Sequence, residues 1–121
     1  MLIKLQSDLN MANDTIWQQR IQAEDYVDYF DATKGNTGGK YRNDGVDIEN
    51  TSDIGDGFNI GWISKGEWLT YNVEVPEAGD YNLSFRVAAA STDNKQLRVD
   101  VGSQKQVLDF TGTGGWQNWK D

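Results

Sequence analysis

The sequence contains no cysteine, no histidine, a single proline and two methionines among its 121 residues. Without Cys or His it has no thiol or imidazole nucleophile, no disulfide, no zinc site of the usual ligands and no His-dependent triad. The lack of Cys leaves the redox compartment open, because extracellular modules also fold without disulfides. Basic residues are sparse too: 11 Lys and Arg against 19 Asp and Glu give a net charge of −8. They form no stripe, so the field of the protein would repel nucleic acid, leave neutral polymers unaffected and attract cations. No apolar run approaches the length of a membrane-spanning helix, and no membrane partner is expected. Residues 1–16 lack the basic start and apolar stretch of a signal peptide and read as a linker or an added segment.

Aromatic residues and glycine are plentiful. Five Trp, five Tyr and four Phe accompany 13 Gly, at a mean hydropathy of −0.69. An indole carries an apolar face and one N–H, so a buried one wants a hydrogen-bond partner and an exposed one suits a ligand. The glycines, with Asn, Asp and Ser, bound short runs of strand-forming residues. Extended segments are expected at 20–24, 26–30, 46–48, 58–63, 68–75, 81–88, 97–101 and 106–110, the last two joined across Gly102-Ser103. Long loops are expected at 34–45 and 111–121. No segment holds a helical period for three turns. The length suits one domain, an all-β sandwich over residues 17–121.

Successive strand residues point to opposite faces. Leu69, Tyr71, Val73 and Val75 therefore share a core face with Tyr81, Leu83, Phe85 and Val87 if the two strands pair. Trp68, Thr70, Asn72, Glu74, Asn82, Ser84 and Arg86 would then form a polar outer field with an indole at its edge. An apolar plate ringed by hydrogen-bonding groups is what a sugar needs; a solvated sheet face is the plainer reading.

The run Ile21-Gln22-Ala23-Glu24-Asp25-Tyr26 resembles the opening of family 6 carbohydrate-binding modules. So do Gly45-Val46-Asp47-Ile48-Glu49, Asn59-Ile60-Gly61-Trp62-Ile63, Gly66-Glu67-Trp68-Leu69-Thr70-Tyr71, and Thr113-Gly114-Gly115-Trp116-Gln117-Asn118-Trp119. The blocks follow the family's order from Trp17 to the last residue. The resemblance implies a jelly-roll β-sandwich of two antiparallel sheets, attached to polysaccharide-degrading enzymes and secreted with them. It implies a loop site in which Trp62 and Trp116 stack on a sugar and Glu49 bonds it, and a second site on the sheet face with Trp68 as platform. For Trp62 a core position stays open, since Phe58, Ile60 and Trp62 would share a strand face; Trp119 reads as core. The resemblance also implies a structural Ca²⁺ with Gln22 and Glu24 as oxygen ligands, two apart on one strand face. The acidic loop carrying Asp47, Glu49, Asp53 and Asp56 reads as solvated, with cation binding as the other reading.

The family continues for two further strands, so the module reads as C-terminally truncated at Asp121. Uncovered sheet edges would then be closed by residues 2–6 added as a strand, or by a homodimer, the favoured route. Two carboxylates can hydrolyse glycosides, but so short a domain rarely encloses a deep cleft. The expected function is therefore non-catalytic binding of a polysaccharide, agarose or another neutral β-linked glycan, that targets an attached glycoside hydrolase. Xylan binding, or a structural or adhesive sandwich without sugar binding, is the alternative.

Overall fold

The computed structural model describes the backbone of residues 2–4, 6–11 and 14–121, and side chains from Gln19 onward. Among the described residues twelve strands follow in chain order: β1 (Leu2–Lys4), β2 (Gln6–Met11), β3 (Asp14–Gln22), β4 (Asp28–Phe30), β5 (Ile48–Asn50) and β6 (Phe58–Ile60). Then come β7 (Trp68–Thr70), β8 (Tyr81–Leu83), β9 (Arg86–Ala89), β10 (Asn94–Val101), β11 (Gln104–Thr111) and β12 (Gly115–Lys120). The helical content among the described residues is one 3-10 turn, Ala23–Asp25. No helix there is long and apolar enough to cross a membrane. The protein is an all-β sandwich, its antiparallel ladders divided among four sheets: β12-β9-β1-β6-β5, β3-β2-β8, β10-β11 and β4-β7.

Strands from several sheets meet in one core. Ala23, Tyr26, Val46, Ile48, Ile60 and Val87 form its buried centre, with Tyr29 and Leu69 packing from the β4–β7 pair and Leu97 and Phe110 from the β10–β11 ribbon. That ribbon turns across Gly102-Ser103 as expected, with Val101 opposite Gln104 and Gly102 at φ +58°. A positive φ at the first loop position matches the right-handed twist of the flanking strands and favours glycine.

Several expectations need correction. The run 68–75 does not pair with 81–88: β7 pairs with β4, and β8 pairs with β2. The alternation itself holds, with Leu69, Tyr71 and Val73 half-buried between exposed neighbours, but Val75 is exposed. Arg86 turns partly inward to an acidic partner rather than standing in an outer field. Residues 111–121, expected as loop, supply β12 at the edge of the five-stranded sheet.

Within the segment read as linker, Met1, Leu5, Ala12 and Asn13 lie outside the described residues, and the rest is in strands. β1 sits inside the five-stranded sheet, with Ile3 opposite Val87 on one side and Ile60 on the other. Both of its edges are thus engaged by strands that carry core residues. Deleting residues 1–14 is expected to split that sheet, expose the facing edges of β6 and β9, and drive association. Light scattering at several concentrations checks this: a folded, monodisperse monomer after the deletion would show that β1 is dispensable.

Candidate functional site

The ladder between β5 and β6 places Ile48 opposite Ile60, Glu49 opposite Asn59 and Asn50 opposite Phe58. Ile48 and Ile60 enter the core, and period-two alternation sends Glu49 and Asn59 to the other face together. There Asn59 is fully buried and its Nδ2 donates to Glu49 Oε1 at 3.0 Å. The same oxygen accepts from Gln117 Nε2 at 3.1 Å, bringing β12 onto β5. Gln117 was not singled out from the sequence, yet it is the hub of this region. Its Oε1 accepts from Ser52 N at 3.0 Å, Ser52 Oγ at 3.1 Å, Thr51 Oγ1 at 3.3 Å and Trp119 Nε1 at 2.9 Å. Glu49 Oε2 makes no hydrogen bond among the described residues.

Trp116 and Trp119, three residues apart on β12, point to opposite faces. Along β12 exposed Trp116, Asn118 and Lys120 alternate with half-buried Gln117 and Trp119. Trp119 spends its N–H on Gln117, while Trp116 is 56% exposed. Trp62 does not take the core position: it follows the end of β6, adopts φ +50° and leaves its ring 50% exposed. A left-handed backbone at a bulky residue costs roughly 1–3 kcal/mol, and such strain collects at functional sites. Here it breaks the alternation that would have buried the indole with Phe58 and Ile60. Trp62 thus stands three residues beyond Asn59 in sequence, and Trp116 immediately before Gln117.

Two carboxylates of the acidic run read as solvated, Asp47 and Asp53, are buried, while Asp56 is exposed. Asp47 is 1% exposed and accepts from Thr37 N at 2.7 Å. Asp53 is 7% exposed and takes both Nε and Nη2 of Arg86, the latter at 2.8 Å. That bidentate bond to Asp53 holds the Arg86 guanidinium well above its ordinary pKa. Asp121 adds a second carboxylate at 3.3 Å from Arg86 Nη1.

Trp68 lies apart from this network. Its ring is 48% exposed, as the alternation predicts, and Phe30, 50% exposed, is its direct partner across the β4–β7 ladder. Asp28 and Thr70, also exposed and paired, flank the two rings on the same face. Phe30 was missed because the sequence offered no signal that β4, rather than the 81–88 segment, would pair with Trp68.

Gln22 ends β3, and Glu24 lies in the 3-10 turn rather than two along a strand. Glu24 is 5% exposed, and its backbone carbonyl accepts from Arg42 Nη1 at 3.2 Å. Burial first, then the negative charges of Glu24 and Asp25, push the Tyr71 phenol above its ordinary range. Its hydroxyl donates to Ala23 O at 2.6 Å. Gln22 and Glu24 are hard oxygen donors suited to Ca²⁺, but Ca²⁺ takes six to eight oxygens. No group of three or more potential His, Cys, Asp or Glu ligands gathers among the described residues. The two residues fit part of a coordination sphere, not a whole one.

The profile of the family described as carbohydrate binding module (family 6) matches residues 37–121, more than half of the chain. Clotting factor G alpha subunit of Tachypleus tridentatus is 35% identical over 107 residues, covering 85% of this chain and 14% of the relative. A beta-agarase of Microbulbifer thermotolerans is 29% identical over 89 residues, 68% of this chain and 21% of the relative. A cycloisomaltooligosaccharide glucanotransferase of Niallia circulans is 31% identical over 103 residues, 78% and 10% respectively. The chain therefore spans about a fifth or less of the length of these relatives.

Proposed function

The chain belongs to family 6 of the carbohydrate-binding modules, a non-catalytic binding domain, and we propose that its ligand is a neutral glycan. Agarose or another β-linked galactan or glucan is the preferred class. The observations that carry this reading are the half-exposed indoles Trp62 and Trp116, and a network in which Glu49 keeps one oxygen unspent. Indole faces suit the C–H faces of sugar rings, and a fixed carboxylate oxygen accepts from a hydroxyl. The net charge of −8 disfavours sulfated or uronate-rich polymers. A β-agarase among the relatives supports agarose, and the glucanotransferase makes an α-glucan the second ligand to test. By the same likeness, the module serves an attached glycoside hydrolase outside the cell, holding it against a polymer too large to enter. Native electrophoresis through gels containing agarose, laminarin, xylan or dextran tests the reading: retardation by one neutral polymer is expected. Unchanged mobility in all four, with no shift in tryptophan fluorescence, would favour a structural or adhesive domain.

The Phe30–Trp68 face supports a second contact with the polymer, because two adjacent half-exposed rings flanked by Asp28 and Thr70 offer the same chemistry as the loop site. If this face is the working one, Trp68→Ala abolishes retardation and Trp116→Ala does not.

Structural Ca²⁺ held by Gln22 and Glu24 is the remaining proposal. An ion bound only by the folded state stabilises it by mass action, about 2.7 kcal/mol at a free concentration 100-fold above Kd. With a partial donor set, binding is expected to be weak and the rise in thermal midpoint confined to millimolar Ca²⁺. A midpoint that neither Ca²⁺ nor chelator moves would remove the site.

A further inference from the structure

We infer that Gln117 is a positioning residue for glycan binding, setting the carboxylate of Glu49. The inference rests on the loop-site reading above. The orientation of the Gln117 carboxamide is dictated by its neighbours. Ser52 N–H and Trp119 Nε1–H can only donate, so they face an oxygen, at 3.0 and 2.9 Å. An ionised Glu49 can only accept, so it faces the amide nitrogen, at 3.1 Å. A glutamine satisfies both sides at once; a glutamate would turn a carboxylate toward Glu49, and an aliphatic residue would leave both sides unpaired.

Glu49 Oε1 is held by Gln117 from β12 and by Asn59 from β6, which fixes the rotamer and leaves Oε2 as the oxygen available to a hydroxyl. A carboxylate fixed before binding does not lose rotamer freedom on binding. The bonds that Thr51, Ser52 and Trp119 donate to Gln117 also hold the inward side of β12, from which Trp116 points away.

Affinity electrophoresis in the same four polymer gels, with Glu49→Ala, Gln117→Ala, the double variant and Gln117→Glu, tests this. Gln117→Glu keeps the acceptor side toward Ser52 and Trp119 and so guards against simple unfolding, which far-UV spectra follow. The expected result is an affinity loss of about tenfold for Gln117→Ala and at least that for Gln117→Glu. The Gln117→Ala loss should shrink to less than threefold when Glu49 is already alanine. A structural role alone would lower the thermal midpoint without this coupling. Unchanged affinity in Gln117→Ala or Gln117→Glu, or additive losses in the double variant, would overturn the inference while retaining the glycan reading. Retention that survives both Trp62→Ala and Trp116→Ala would overturn the loop-site reading and the inference with it, as would no retardation of the unaltered protein in any gel.

Discussion

Trp116→Ala is expected to weaken glycan binding roughly ten- to hundredfold while the far-UV spectrum and thermal midpoint stay close to those of the unaltered protein. Stacking on an aromatic platform contributes about 1–3 kcal/mol, by analogy with bases on such rings, and about 1.4 kcal/mol is a factor of ten. Trp116 is 56% exposed, and its inward neighbours Gln117 and Trp119 hold β12 in place without it. Trp62 allows a sharper version of the test. Removing a core indole costs about 3–5 kcal/mol. Removing an exposed indole from a left-handed backbone costs little, and glycine there relieves strain. Trp62→Gly should therefore lose binding while its stability is unchanged or raised by up to about 1 kcal/mol. Calorimetric titration and urea melts read the two quantities separately. A large drop in the urea midpoint would assign Trp62 to the core after all.

Arg86→Ala is expected to produce the largest loss of stability, about 3 kcal/mol, because it strips the guanidinium from a buried carboxylate. Asp53 is 7% exposed and spends both oxygens on Arg86. The reverse change, Asp53→Ala, should cost less. Arg86 then keeps Asp121 at 3.3 Å and some access to water, so no fully desolvated charge is stranded. The asymmetry between the two variants in urea unfolding is the measured signature. Equal, small effects would place the pair at the surface, where such bridges contribute little. Because Asp53 belongs to the loop that Gln117 grips through Thr51 and Ser52, a loosened Arg86–Asp53 pair should also soften the glycan site.

The sequence alone determined the fold class, the binding family and the alternation of single strands. Strand-forming residues set between Gly, Asn and Asp give short strands in any arrangement. The outward position of Trp68 followed from period two, which the tertiary structure left intact. The Gly102-Ser103 hairpin was legible for the same local reason, a two-residue turn whose first residue tolerates positive φ. What the sequence left open was pairing between distant segments. Nothing local says that β4 rather than 81–88 lies beside Trp68, that β1 enters the middle of a sheet, or that 115–120 is a strand. Partner choice depends on which edges remain free once the core of Ile48, Ile60 and Val87 has closed, a property of the whole chain. The same holds for Trp62, whose strand pattern pointed inward until a left-handed residue at the end of β6 turned the ring out. Gln117 shows the limit most plainly. Its five hydrogen-bonding neighbours come from β5, β6, β12 and the loop after β5, so its role exists only where those segments meet.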